Sequence, residues 1–324
     1  MSNILVTAIG SFSADIIIKN LKKEGNYVIG CDIYPKEWII DAQNVDLFYQ
    51  SPYANNIEEY VNFICKICDM NKIDFIMPLT DPEVEILSKH KKRVEAYGAI
   101  LCTSDYETIQ LCRDKYKLPK FLAEHDIPNS ISTFLLDEID VKEFSYPFFA
   151  KPRSGRSSQG CMLINDKTDF QYIVEKCKKE QYIIQPYIEG KIITVDVVRN
   201  ETSGMVSSMC RRELIRNNSG AGLTVEIFHD IFLSDLCKKI ANVLNIRGTV
   251  NIEFIESSNG YYFLEVNPRF SGGVEFSCIA GYDVITQHLN CFRDLPIIAA
   301  PCTHKMIISK KYEECVTWEE RNDK

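Results

Sequence analysis

The stretch that most constrains the fold runs from Arg247 to Gly273, RGTVNIEFIESSNGYYFLEVNPRFSGG. Val250 to Ile255 alternates apolar and polar residues, Ser257-Ser258-Asn259-Gly260 supplies turn chemistry, and Tyr261 to Val266 is a second β-prone run. A hairpin is predicted. Glu253 falls mid-strand between Ile252 and Phe254, and Glu265 lies near the end of the returning strand. Pairing about the Asn259-Gly260 turn lets both carboxylates and the Asn267 amide point into one space. An oxygen-rich cluster of that kind suits a hard cation such as Mg²⁺, which keeps waters and shares phosphate oxygens with a nucleotide. Arg269 and the small run Ser271-Gly272-Gly273 follow at once, offering a cation and close backbone N–H groups to an anion. A lone strand glutamate usually faces water, so the weight rests on the joint pattern.

The chain has 324 residues, room for two or three packed units, and its 45% hydrophobic and 25% charged content is that of a soluble globular protein. A net charge of −8 with no basic arm argues against nucleic-acid binding. The first residues, MSNILVTAIG, enter a strand directly, and no apolar run approaches the roughly 20 residues that span a bilayer. A cytoplasmic location with no membrane partner is expected. The 13 cysteines are scattered, and Cys65 and Cys68 lack a second pair at zinc-site spacing, so buried reduced thiols are expected. The five histidines stand apart and receive no chemistry.

Asn3 to Ile9 is a continuous apolar strand, followed by a helix ending near Glu24-Gly25-Asn26 and a second strand, Tyr27 to Asp32. A helix over Ile57 to Met70, a strand at Asp74 to Pro78, a helix opened by Leu79-Thr80-Asp81-Pro82 and a strand at Ala99 to Cys102 complete a βαβαβ rhythm. A doubly wound, Rossmann-like domain of four strands is predicted over residues 1–107. Asp32 stands where a ribose-binding acid would, but the loop keeps only Gly10 of the three glycines a dinucleotide needs. An NAD-linked oxidoreductase is therefore the weaker alternative.

Beyond Thr108, Asp114-Lys115 is predicted to open a helix ending near His125. Tyr146 to Pro152 is an apolar strand carrying Lys151, whose buried ammonium needs a partner, and a phosphate would supply one. The loop that follows, through Arg153, Ser157, Ser158 and Gly160, is small and rich in hydroxyls and can wrap a polyphosphate with its N–H groups. Tyr182 to Ile188 and Ile192 to Val198 are strands broken at Glu189-Gly190. Met209 to Ile215 is a charged strand, and Arg212 and Arg216 could grip a phosphoryl group or a carboxylate bidentately. Asp230 to Leu244 is an amphipathic helix with Ile231, Leu236, Ile240 and Leu244 inward, and Ala280 to Phe292 is another helix. The charged tail, KKYEECVTWEERNDK, is expected to be peripheral.

The pattern E-x-N-P-R-F-S-G-G with N-I-E-F upstream resembles the metal and phosphate strands of ATP-grasp ligases, in the branch of the carbamoyl phosphate synthase large subunit. DKYKLPKFLAEHDIP is similar to that family's D-K…L…G-I-P segment, with Asp126 where glycine is common, and Lys151 with its loop resembles the family's K-P…G…S…G loop. No internal repeat is evident, so one module is expected. The resemblance implies an α/β chain: a Rossmann-like preATP-grasp domain, then a two-lobed α+β ATP-grasp domain with lobes at 108–188 and 189–324. It implies ATP, held by Lys115, Lys151, Ser157, Ser158 and Gly160 at the phosphates. The adenine would lie along Gln185, Tyr187 and Ile188, with Gln185 where a glutamate is frequent. Ile192 replaces a ribose-binding acid, which puts that contact in doubt. Mg²⁺, or Mn²⁺, would be held by Glu253, Glu265 and Asn267, and Arg269, Arg216 and Arg212 would serve the transferred group. The implied reaction joins a small carboxylate to an amine through an acyl phosphate, releasing ADP and phosphate. Bicarbonate as acceptor is the alternative within the fold, and a homodimer is common among relatives.

Overall fold

The computed structural model describes residues 1–139, 145–155, 159–218, 220–302 and 304–319. Five short strands, β1 (Asn3–Thr7), β2 (Tyr27–Asp32), β3 (Leu47–Gln50), β4 (Phe75–Met77) and β5 (Ile100–Leu101), form a parallel sheet in the order β3-β2-β1-β4-β5. Helices α1 (Ala14–Lys23), α2 (Ile57–Asn71), α3 (Asp81–Lys89) and α4 (Lys91–Glu95) connect them. The strand order reverses between β1 and β4, which opens a crevice at their carboxyl ends. The sequence reading passed over β3, whose four residues are only half-buried at the sheet edge and show no alternation. Asp32 is committed to its own loops: its carboxylate accepts from the N–H of Gly10 at 2.8 Å and of Tyr34 at 3.1 Å.

The expected helix at Asp114-Lys115 is two helices, α5 (Tyr106–Arg113) and α6 (Lys117–Glu124). Asp114 ends the first, and its Oδ1 accepts from the N–H of Tyr116 and Lys117 at 3.1 and 3.0 Å, so Lys115 stands in the turn. A small lobe follows: β6 (Phe134–Leu135), β7 (Phe148–Pro152), β8 (Met162–Ile164), α7 (Lys167–Lys176) and β9 (Tyr182–Pro186), antiparallel in the order β6-β9-β7-β8. Leu136, Phe148, Ile164, Ile173 and Ile184 give it a core of its own.

The large lobe is a six-stranded antiparallel sheet, β14-β13-β10-β11-β12-β15. Its strands are β10 (Lys191–Arg199), β11 (Val206–Arg216), β12 (Gly222–Phe228), β13 (Gly248–Ser257), β14 (Gly260–Asn267) and β15 (Met306–Ser309), and its helices α8 (Ile231–Val243), α9 (Val274–Ile279) and α10 (Val284–Phe292). Helix α8 covers the face of Ile193, Val195 and Val197. Its inward residues are Leu233, Leu236 and Ile240; Ile231, expected inward, is 69% exposed because it is the first residue after the Asp230 cap. The helix expected over Ala280 to Phe292 is broken at Gly281, where φ is +94° and glycine carries no Cβ penalty. Phe270, Phe276 and Leu289 of this lobe pack into one cluster with Ile4, Val6, Ile17 and Met77 of the N-terminal domain. Residues 310–319 of the tail are largely exposed, and the Thr317 carbonyl accepts from Gln43 of the N-terminal domain at 3.0 Å. Both Cys65 and Cys68 are buried and free. Among the described residues no helix is long and apolar enough to cross a membrane.

Candidate active site

The site begins with one surplus residue. From Ser257↔Gly260 the hairpin pairs plainly as far as Phe254↔Phe263, and then Leu264 is an insertion that re-registers the strands as Glu253↔Glu265 and Asn251↔Asn267. Without that bulge Glu253 would face Leu264, and Glu265 would point to the other side of the sheet. With it, two carboxylates stand side by side on the face opposite α8, with side-chain origins about 5 Å apart.

Cations converge on this pair from the small lobe and from the turn after α5. Lys115 Nζ lies 3.0 Å from Glu265 Oε2, and Arg216 Nη2 lies 3.3 Å from Glu253 Oε2. The turn is tied to the end of β7, since Arg153 grips Asp114 bidentately at 2.9 and 2.6 Å and its carbonyl accepts from the Lys115 N–H at 3.0 Å. That link sets Lys115 beside Lys151, which is 7% exposed. Burial lowers the Lys151 ammonium pKa, against the pull of Glu265. Burial and the Glu265 charge push Glu253 up to about 7. Burial acts on Glu265 in the same direction, but Lys115 and Lys151 outweigh it and hold that carboxyl below its ordinary value. One carboxylate is balanced by cations and the other is strained by its neighbour, so a divalent ion between them would relieve the repulsion.

The donor set fits that ion. Asn267 Nδ2 donates to Glu265 Oε1 at 3.2 Å and to Asn251 Oδ1 at 3.1 Å, which leaves the Asn267 amide oxygen to a cation. Among the described residues no three or more His, Cys, Asp or Glu side chains are grouped so that they could hold a metal ion by themselves. Two carboxylates and an amide make the incomplete oxygen shell that Mg²⁺ completes with water and phosphate oxygens.

These groups line a cavity of about 630 Å³ enclosed by the small lobe, the large sheet and the N-terminal domain. Toward the β9–β10 connection its wall is apolar, with Phe149, Ile188, Ile192 and Ile255. Gln185, 4% exposed, stands among them and spends one N–H on Thr133 Oγ1 at 2.8 Å, so its carbonyl oxygen and second N–H are what it offers a ligand. On another side Phe12 and Asp81 of the N-terminal domain meet Arg269 and Ser271.

Of the residues singled out from sequence, Lys115, Lys151, Gln185, Ile188, Arg216, Glu253, Glu265, Asn267 and Arg269 all line this cavity. Three do not. Arg212 points to the opposite face, held by Glu256 at 2.6 Å through both Nε and Nη2, by Glu226, and over the Phe228 ring. Tyr187 is not part of the lining, and its ring stacks on that of Phe149 at 5.8 Å. Gly160 is exposed and lies outside the lining, while Ser157 and Ser158 fall outside the described residues. Sequence reasoning missed Arg211 and Glu213, which hold the inward phase of β11. Arg211 Nη1 bonds Asp196 Oδ2 at 2.6 Å and its Nε bonds Glu213 Oε1 at 3.1 Å, all three side chains being buried. Four consecutive residues of β11, Met209 to Arg212, show no apolar–polar alternation, so the sequence carries no signal for which arginine turns inward.

Residues 178–315 match the family described as ATP-grasp in the biosynthetic pathway with Ter operon, and residues 4–102 match the PylC-like N-terminal domain. The carbamoyl phosphate synthase large chain of Clostridium perfringens is 26% identical over 286 residues, covering 82% of this chain and 26% of that one. The chain thus spans about a quarter of the length of such curated relatives. The biotin carboxylase domain of the Hydrogenobacter thermophilus 2-oxoglutarate carboxylase, solved as a dimer with MgADP and bicarbonate, superposes with a TM-score of 0.76 at 17% identity, covering 95% of this chain and 74% of that one. For the L-amino acid ligase of Bacillus licheniformis the TM-score is 0.72 at 15% identity, with 90% and 74% covered. With its Rossmann-like first domain and two antiparallel lobes around a common cavity, the chain carries a PylC-like N-terminal domain followed by an ATP-grasp domain.

Proposed function

We propose that this chain is an ATP- and Mg²⁺-dependent carboxylate–amine ligase that makes an amide through an acyl phosphate. The observation that carries the proposal is the pair Glu253 and Glu265, faced by Lys115 and Lys151 across one cavity. Mg²⁺, or Mn²⁺ with the same preference for oxygen, held by Glu253, Glu265 and Asn267 would neutralise charge on the nucleotide's phosphates. Lys115 and Lys151 would turn from Glu265 to those phosphates, and the apolar wall at Ile188, Ile192 and Ile255 would take the base beside Gln185. Arg216 and Arg269 would face the migrating phosphoryl group. A carboxylate oxygen attacks the γ-phosphorus as its bond to ADP breaks. The amine then attacks the carbonyl carbon, loses a proton, and phosphate leaves. No side-chain base is needed for the first step, because the acceptor is already an anion.

In this reading residues 1–107 help bind the acceptor, 108–188 form the lobe that brings Lys151, and 189–324 carry the metal and phosphate groups. The partners are small carboxylates and amines, in a cytoplasmic protein that could work as a homodimer. A phosphate-release screen over amino acids, uronic acids and other small carboxylates, each paired with amines, tests the proposal. The expected result is phosphate release that needs both partners and disappears in Glu265→Gln with the fold intact. Release driven by bicarbonate alone would move the assignment to a carboxylating or carbamate-forming enzyme.

A further inference from the structure

Asp81 opens α3 in the N-terminal domain, yet its side chain is 5% exposed and buried against the loop after β14. Its Oδ2 accepts from Arg269 Nη2 at 3.0 Å and its Oδ1 lies 3.1 Å from Arg113 Nη1. Arg113 is held in turn, its Nε 3.0 Å from Glu85 Oε2, and Gln110 donates to Glu85 Oε1 at 3.1 Å. A relay of side chains thus starts on the solvent side of α3 and α5 and ends in the cavity. Arg269 has one more tether, Nη1 to the Phe270 carbonyl at 3.1 Å. Both Nη atoms are therefore fixed, and a guanidinium is a rigid planar fork, so the direction of its remaining donors is fixed too.

We infer that Asp81 is a positioning residue for phosphoryl transfer: the N-terminal domain inserts a carboxylate that aims Arg269 into a site built by the other two lobes. The inference rests on the ligase reading above and deepens it. Geometry supplies the reason such a residue is needed. Glu265 carries its charge close by. Burial would raise the Asp81 carboxyl, Arg269 and Arg113 hold it below its ordinary value, and Glu265 opposes them. An Arg269 released from Asp81 would be drawn to Glu265 and would occupy a carboxylate the metal requires. Asp81 thus orients one cation and keeps a metal position clear.

The test uses Mg·ADP with and without aluminium fluoride, whose planar or octahedral complex mimics a phosphoryl group in flight, and reads affinity in the full chain. Wild type should bind Mg·ADP more tightly when fluoride and aluminium are present. Asp81→Asn and Arg269→Gln should each lose that tightening by on the order of 10²-fold, the cost of a misplaced catalytic group. Their affinity for Mg·ADP alone should stay within about twofold, which a general loss of structure would not allow. The double variant should match either single one, as coupled partners do. Asp81→Glu keeps the buried charge, and with it the fold, but moves the guanidinium by a methylene; it should lose the tightening about tenfold or more. Tightening that survives in Asp81→Asn or Asp81→Glu, or losses that multiply in the double variant, overturns the inference alone. No tightening in wild type overturns the phosphoryl-transfer reading and the inference with it.

Discussion

Glu253 faces Glu265 because Leu264 is one residue too many for the hairpin. The two-residue turn alone would place Leu264 opposite Glu253, and the carboxylates would lie on different faces. Glu253→Gln keeps this register and removes one carboxylate of the pair. The expected result is a protein with an unchanged circular dichroism spectrum that melts at the same temperature with and without Mg·ATP. A wild-type thermal shift in the Glu253→Gln variant would separate the metal from this pair.

Lys151 is a buried ammonium whose own charge is disfavoured by burial. Replacing it with methionine removes a desolvated charge and fills a similar volume, so the ligand-free protein should be as stable as wild type or more so. The same change removes a phosphate contact. Nucleotide affinity should fall by roughly 10- to 100-fold, the worth of one charge-assisted bond of 1.5–3 kcal/mol. Isothermal titration with Mg·ATP checks both signs at once when paired with a urea melt.

Neighbouring arginines on β11 should behave in opposite ways. Arg211 is sealed between Asp196 and Glu213, and Arg211→Gln would leave uncompensated buried carboxylates at a cost of about 3–5 kcal/mol. Arg212 bonds Glu256 and Glu226 on the other face, and Arg212→Gln should cost about 1 kcal/mol and leave Mg·ATP binding unchanged. Denaturant midpoints and nucleotide titrations of the two variants decide it. Equal destabilisation would contradict the burial argument.

His288 gives the fold an acid limit. Its Nδ1 accepts from the Thr249 N–H at 2.9 Å between the Phe270 and Phe292 rings, and burial lowers its pKa from 6.5 to about 3 against the backbone of Cys102. The unfolded chain therefore takes up a proton that the folded chain refuses. Stability from this group is complete above pH 6.5 and drains away as pH falls toward 3, at about 1.4 kcal/mol per unit. His288→Gln keeps an acceptor for Thr249 without the titration. Its urea midpoint should fall less than that of wild type between pH 6.5 and 4.5; parallel curves would remove His288 as the cause.

Strand-level features of this fold were open to reading because their chemistry is local. The βαβ rhythm, Lys151 on its apolar strand, and the Glu253–Asn267 hairpin are each carried by a few adjacent residues. What escaped is set by partners far along the chain or by phase. Arg211 and Arg212 are equally polar, and only the pairing of β11 with β10 decides which turns inward. The Leu264 bulge has no glycine to betray it. Asp81 reads as a helix opener after Thr80, whereas its main partner, Arg269, is 188 positions away. The break at Asp114 came from side-chain capping that a periodicity argument does not weigh.

The division of the cores decides which part of the molecule is the jaw. Swinging the N-terminal domain away would tear a single oil layer, since Ile17 and Met77 share it with Phe276 and Leu289. The β6–β9 lobe, by contrast, keeps its oily interior to itself, so tilting it uncovers little that water would resist. In the proposed reaction nucleotide entry would then be a one-sided bite, Lys151 moving with the small lobe toward carboxylates that stay on the large sheet.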